Sequence, residues 1–249
     1  MLSARESGME TYEQIYQELR NKGKPAWTGD GYPRAWAKLT ETLDSLAAAG
    51  QLPEPGSHIL ELGCGNGMMA SLWFASHGYH VCGVDLSPTA IHWAQENFAQ
   101  MGISGVFLQD DVCSLAQLED NRFDLIFDGS CVHCLMGNQR GLAYSQVRRL
   151  LRENSTFIIS SMCGEPGYEQ DRQHYDALSH ILYRNGKPWR TLMSLNSFQN
   201  EIISAGFISK RTAITVLTNG GYLVGSTMRH GSSSLTRFTG QSAMTSRIW

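Results

Sequence analysis

The 249-residue chain predicts an α/β fold: a doubly wound, mostly parallel seven-stranded sheet with an antiparallel C-terminal hairpin. Three observations carry that expectation. Short, continuously apolar runs such as "HILEL", "HVCGVDL" and "FDLIF" alternate with longer amphipathic stretches, and strands apolar on both faces belong to a parallel sheet covered on both sides. The glycine cluster "GCGNG" follows directly on the first of these runs, where a strand would turn into a helix. Near the C-terminus, "FISKRTAITVLTNGGYLVGSTM" sets two strand-like segments around the turn residues "TNGG", the signature of an antiparallel pair.

Taken in order, residues 9–20 read as a helix with Tyr12, Ile15, Tyr16 and Leu19 on one face. The loop "NKGKPAWTGDGYPRAW" holds Trp27, Tyr32 and Trp36, and aromatics in a loop either pack onto the body or line a pocket. A helix from about 34 to 49 ends at Gly50 and the breakers Pro53 and Pro55, so residues 1–50 form a helical lid. The main domain spans 51–230. Strand one, "HILELG", is followed by a helix closed by Gly78, then by "HVCGVDL" and a helix with Ser87 as N-cap and Pro88 at its first position. "VFLQDDV" is strand three, with a short helix near 114–119 behind it. "FDLIFDGS", the helix "NQRGLAYSQVRRLLR" and "STFIISSM" complete the parallel part.

Residues 163–194 then break the rhythm at the sheet edge where ligands bind in open α/β folds. The segment is too long for an ordinary connection and reads as a cap with its own helix at about 169–183. "SLNSFQNEIISAG" returns to helix before the hairpin, and the tail 231–249, rich in Ser and Thr, is expected to be irregular.

The bulk numbers narrow the partner. A formal charge of −3, with no run of lysines or arginines, leaves no electrostatic footprint for nucleic acid or an anionic membrane surface. No window approaches the length of a membrane span, and the N-terminus shows no secretion signal, so the expectation is a cytoplasmic protein acting on a small molecule. Its oligomeric state stays open. The six cysteines, Cys64, Cys82, Cys113, Cys131, Cys134 and Cys163, fall mostly in apolar runs and read as small hydrophobes.

"ELGCGNG" places Glu61 before Gly63, Gly65 and Gly67. A dinucleotide fingerprint needs G-x-G-x-x-G, and here the third glycine arrives one position early. A carboxylate beside the turn would also repel a pyrophosphate and attract an ammonium. The stretch resembles the first motif of the class I S-adenosylmethionine-dependent methyltransferases, E/D-x-G-x-G-x-G, at every fixed position. Asp85 in "GVDLSPTAI", Asp111 and Val112 in "LQDDV", and the strand-four segment "FDLIFDGSCVHCL" extend the resemblance to about residues 55–228. It implies S-adenosyl-L-methionine as cofactor. The turn of Gly63, Cys64, Gly65 and Gly67 would then lie against the cofactor's amino-acid end and ribose, with Glu61 near the methionyl end. Asp85 would accept the ribose hydroxyls and Asp111 the adenine amino group, Leu86 and Val112 would be further cofactor contacts, and Asp128 at the end of strand four would bind cofactor or acceptor.

His133 aligns with the first histidine of the family's "LHH" and is the candidate general base; the alternative is a histidine packing beneath the cofactor. "CVHC" gives Cys131 and Cys134 a C-x-x-C spacing, but a closed metal site normally shows two such pairs, so no metal is expected. Tyr16, Trp27, Tyr32, His174, Tyr175 and Trp189 are the acceptor-pocket candidates, with Tyr12, His180, Tyr183 and Arg184 as neighbours. The expected function is methyl transfer to an O, N, S or C nucleophile on a small molecule. A cyclase or lyase on the same fold, or a cofactor-binding regulatory protein, is the alternative, and a nicotinamide dehydrogenase is disfavoured by the glycine register.

Overall fold

A computed structural model describes residues 4–216 and 222–229, with side-chain surroundings for residues 11–208. The chain opens with α1 (Ala4–Asn21), a single 3-10 turn at Gly29–Gly31 and α2 (Tyr32–Ala48), all ahead of the sheet. The βα alternation that follows is the one the apolar runs predict. It comprises β1 (His58–Leu62), α3 (Ala70–Ser76), β2 (His80–Asp85), α4 (Pro88–Met101), β3 (Val106–Gln109) and β4 (Phe123–Asp128), then α5 (Asn138–Leu150) and β5 (Leu151–Cys163). α4 starts where Ser87 Oγ accepts from the Ala90 amide at 3.0 Å, and it stops at the left-handed Gly102.

After β5 come α6 (Glu169–Arg172), β6 (Tyr175–Asp176), β7 (Ile181–Arg184), β8 (Lys187–Thr191), α7 (Leu195–Ser204), β9 (Ile208–Val216) and β10 (Tyr222–Arg229). The main sheet has seven strands in the order β3-β2-β1-β4-β5-β10-β9. The first five are parallel, and β10 lies antiparallel to both β5 and β9. The turn residues "TNGG" and the tail from Gly231 lie outside the described residues.

The period of two along each strand feeds two cores. Leu60, Leu62, Val84, Ile126 and Phe157 face Tyr144, Val147, Phe198 and Phe207 on one side. Ile59, Val81, Leu125 and Ile158 face Leu43, Trp73 and Phe74 on the other. With both faces covered, the carboxyl ends of β1, β2, β4 and β5 are the edge that polar chemistry can use.

Two expected helices are absent. Residues 114–119 form turns, because Leu115 adopts φ 43° and the guanidinium of Arg149 takes up the carbonyls of Leu115 and Leu118 at 2.9 and 2.8 Å. In the cap, only the four residues of α6 are helical; β6, β7 and β8 make a separate antiparallel sheet. The reason is local. Asn185 and Gly186 sit at φ 52° and 72°, the two left-handed positions of a tight hairpin, and His180 at φ 58° ends any helix before it. Asp176 secures the preceding turn by accepting from Leu178 N (2.9 Å) and Ser179 Oγ (2.6 Å). β5 also begins earlier than expected, at Leu151.

Candidate active site

The turn after β1 is made of backbone. Gly63, Gly65 and Gly67 all have positive φ, and a side chain at any of them would crowd a neighbour. A Cβ on Gly63 would stand 2.8 Å from the Cβ of Cys131, one on Gly65 would stand 2.7 Å from the Tyr16 hydroxyl, and one on Gly67 would meet Phe98 and Phe107. The Cys64 side chain turns away into a small cluster with Ile91, Ala94, Phe98 and Phe107.

Three carboxylates surround this turn, each fully or nearly buried and each holding backbone amides. Glu61 accepts from Ser71 N at 2.7 Å and from Ser71 Oγ, at the start of α3. Asp85 accepts from Gly65 N and Ser87 N, both at 2.9 Å, so it fixes the glycine turn to the start of α4. Asp128 accepts from Cys131 N at 2.7 Å and Val132 N at 3.1 Å, shaping the 3-10 turn Val132–Cys134. Burial pushes Glu61 up to about 8 and Asp85 and Asp128 up to about 6, against the opposing pull of these amides.

At the end of β3, Asp111 Oδ1 accepts from Cys113 N at 2.9 Å. Its neighbour Asp110 keeps Oδ2 buried with no hydrogen-bond partner among the described residues. Leu86 is half-buried, its carbonyl taking Gln109 Nε2 at 3.4 Å, and Val112 packs into the larger core.

His133 lies on the 3-10 turn, only 5% exposed, with Nδ1 unpartnered among the described residues. Desolvation first, then the nearby charges of Arg190 and Arg140, lower its pKa to about 3, so the imidazole is neutral. Arg140 holds this turn by donating Nη1 to Val132 O at 2.8 Å while gripping Glu201 through Nε and Nη2 at 2.8 and 2.6 Å. All six cysteines are free, and burial raises the thiol pKa of Cys131 and Cys134.

The N-terminal helices and the cap meet over the turn. Tyr16 of α1 is 6% exposed and lies directly above Gly65. Tyr12, one helical turn earlier, stacks on Trp189 of β8 with ring centroids 5.8 Å apart, and Trp27 lies against both Tyr12 and Tyr16. Arg190 Nη1 donates to Tyr12 Oη at 2.6 Å, and the Tyr12 hydroxyl also contacts the Cys134 thiol. Glu13 ties α1 to the start of α4 by accepting from Ser87 Oγ at 2.6 Å and from the Thr89 hydroxyl. Asn66 of the turn donates to Pro25 O at 2.8 Å.

Of the sequence candidates, then, Glu61, the glycines, Asp85, Asp128, His133, Tyr16, Trp27 and Trp189 come together. Tyr32 donates to Met68 O at 3.0 Å and stacks on Trp36, which makes it an anchor of α2. His174 is exposed, and Tyr175 spends its hydroxyl on Leu192 O at 2.6 Å inside the cap. Arg190, Arg140 and Glu13 were not foreseen. A lone arginine or glutamate among other charges gives no periodic signal, and only the tertiary pairing distinguishes these three.

The methyltransferase-domain family matches residues 53–221. Among curated relatives, the sterol 4-C-methyltransferase strm-1 of Caenorhabditis elegans is 29% identical over 160 residues, covering 61% of this chain and 46% of its own length. The chain thus spans about half the length of that relative. Among solved structures, the 1,6-didemethyltoxoflavin-N1-methyltransferase of Burkholderia thailandensis, with 1,6-didemethyltoxoflavin and S-adenosylhomocysteine bound, superposes with a TM-score of 0.67 at 18% identity, covering 93% of this chain and 92% of its own. The [4+2]-cyclase SpnF superposes with a TM-score of 0.69 at 16% identity, covering 93% and 97%. At these identities the two structures share the fold.

Proposed function

Because the chain belongs to the class I S-adenosylmethionine-dependent methyltransferases, we propose that it carries a methyl group to a small-molecule acceptor held between its N-terminal helices and its cap. The bound cofactor supplies an electrophilic methyl on a sulfonium leaving group, and the protein's part is placement and water exclusion.

The observation that carries the reading is the turn from Glu61 to Gly67. Its glycines leave bare backbone where any Cβ would collide, and Asp85 holds Gly65 N–H from below. Glu61, beside the turn, is suited to an ammonium. Asp85 takes the amides of Gly65 and Ser87 on separate oxygens, and a carboxylate's remaining lone-pair sites suit ribose hydroxyls. Asp110 Oδ2, buried and unpartnered, fits an adenine amino donor; Asp111, expected for that part, accepts from Cys113 N in the turn that follows. Tyr16 stands over Gly65, so α1 closes the site against water and has to yield for the cofactor to enter. Residues 1–50 act as the lid and 163–194 as the cap.

His133 supports positioning better than base catalysis. A neutral, desolvated imidazole with a pKa near 3 is a poor proton acceptor at neutral pH, while its open Nδ1 can orient a donor on the acceptor molecule. If that is its part, His133→Gln lowers turnover without removing an acidic limb from the pH profile.

Calorimetric titration with S-adenosylhomocysteine, with NADH as control, tests the reading. Micromolar binding of the former that weakens in Asp85→Ala is the expected result. Binding of NADH instead, or of neither, overturns it. Formation of S-adenosylhomocysteine in step with product then separates methyl transfer from a cyclase or lyase reaction on the same platform.

A further inference from the structure

Among the described residues two guanidiniums are buried, and the fold treats them differently. Arg140 is matched by Glu201, with two charge-assisted bonds, and by Tyr144 and Val132 O. Arg190 is 9% exposed and has no carboxylate partner among the described residues. Only its Nη1 is engaged, with Tyr12 Oη at 2.6 Å and Trp189 O at 2.8 Å, both uncharged acceptors. The Nε–Nη2 edge of the fork makes no hydrogen bond among the described residues. Its carbon lies 4.1 Å from the Trp189 ring centroid and 5.9 Å from that of Tyr12, which compensates the charge in part. The Arg184 guanidinium, 4.7 Å from the same indole, adds a second positive charge.

An unpaired buried cation is costly unless a counter-charge arrives. Arg190 stands where one can arrive, between α1, the cap strand β8 and the turn carrying His133 and Cys134. Its free edge is the pair of parallel N–H groups that matches two oxygens of one oxyanion.

We propose that Arg190 anchors an oxyanion of the methyl acceptor, a carboxylate or a phosphate; the assignment rests on the methyl-transfer reading. The acceptor is then an anion, and its charge is the counter-ion that the described residues do not supply. Arg190 acts in recognition: it holds one end of the molecule while the nucleophilic atom, toward His133, faces the glycine turn.

The test is calorimetry on the full chain saturated with S-adenosylhomocysteine, titrated with benzoate, phenyl phosphate and benzamide. At least one anion is expected to bind about tenfold or more tighter than benzamide, the preference of a buried charge for its counter-charge. Which anion does so distinguishes carboxylate from phosphate. Arg190→Gln is expected to abolish the preference. Arg190→Lys, which keeps the charge and loses the fork, is expected to weaken the anion about tenfold while benzamide is unmoved. Benzamide binding as well as both anions, no binding by any of the three, a preference that survives Arg190→Gln, or equal losses in Arg190→Lys would each overturn the assignment. S-adenosylhomocysteine failing to bind the wild-type chain is a separate result, and it removes the methyl-transfer reading itself.

Discussion

Around the glycine turn every carboxylate meets backbone donors: Glu61 the amide of Ser71, Asp85 those of Gly65 and Ser87, Asp128 those of Cys131 and Val132. Across the site, where the 3-10 turn meets β8, the polar groups are left short. Among the described residues His133 Nδ1 has no partner, and Arg190 has half of its fork free. One side is finished by the chain alone, with main-chain geometry that tolerates no alternative. The other is assembled from aromatic rings and a cation drawn from distant segments, and on the proposed reading it is completed by what binds. A platform that is always the same can be rigid, whereas a recognition surface keeps its unmet bonds for the ligand.

The largest expected effect tests the support of the unfinished side. Arg140→Ala removes the grip on Glu201 and on the turn bearing His133, and should lower unfolding free energy in urea by about 3 kcal/mol, since it strands a partly buried carboxylate. A loss below about 1 kcal/mol would mean that the turn stands without it.

On the finished side, Gly63→Ala sets a Cβ against Cys131 at a φ of 67°, and should cost about 2 kcal/mol of stability in the same measurement. If it is silent, the turn is softer than its geometry implies. Asp85→Asn should weaken S-adenosylhomocysteine about tenfold by calorimetry, because one of two amide acceptors becomes a donor.

Charge offers a finer test. Burial raises Glu61 to about 8, so its contribution to the stability of the ligand-free protein is full below the ordinary carboxylate range and is lost as pH rises through about 8. Unfolding free energy should therefore fall from pH 6 to pH 9, and Glu61→Gln should flatten that slope. The smallest effect, below about 1 kcal/mol, is expected for Tyr12→Phe, which removes one hydrogen bond to Arg190 and keeps the ring stack; thermal denaturation measures it.

The finished side is also the one that sequence makes legible. A strand of apolar residues, an acid and three glycines leave few foldings, and Asp85 at the end of β2 follows from the same spacing. The cap is harder. "YEQDRQHYDALSHILY" has helical spacing, yet "RNGK" directly after it is a hairpin signal, and the hairpin prevails because two left-handed residues cost a helix more than periodicity returns. Arg190 was beyond reach for another reason: nothing in "KPWRT" says that this arginine faces inward, or that no acid among the described residues meets it.

The two ends of the cap have a consequence for how such proteins diversify. Cys163 and Met193 form a parallel bridge, and Gly164 N donates to Met193 O at 2.8 Å, so the excursion leaves and rejoins the body at one point. What lies between is a loop whose two ends share one clasp and whose strand β8 also meets α1 through Trp189 and Arg190, and the cost of loop closure grows only slowly with length. The segment can be lengthened, shortened or exchanged for that of a relative while β5 keeps its register with β10. Inheritance can thus change the cap in one step, and leave untouched the scaffold that folds it.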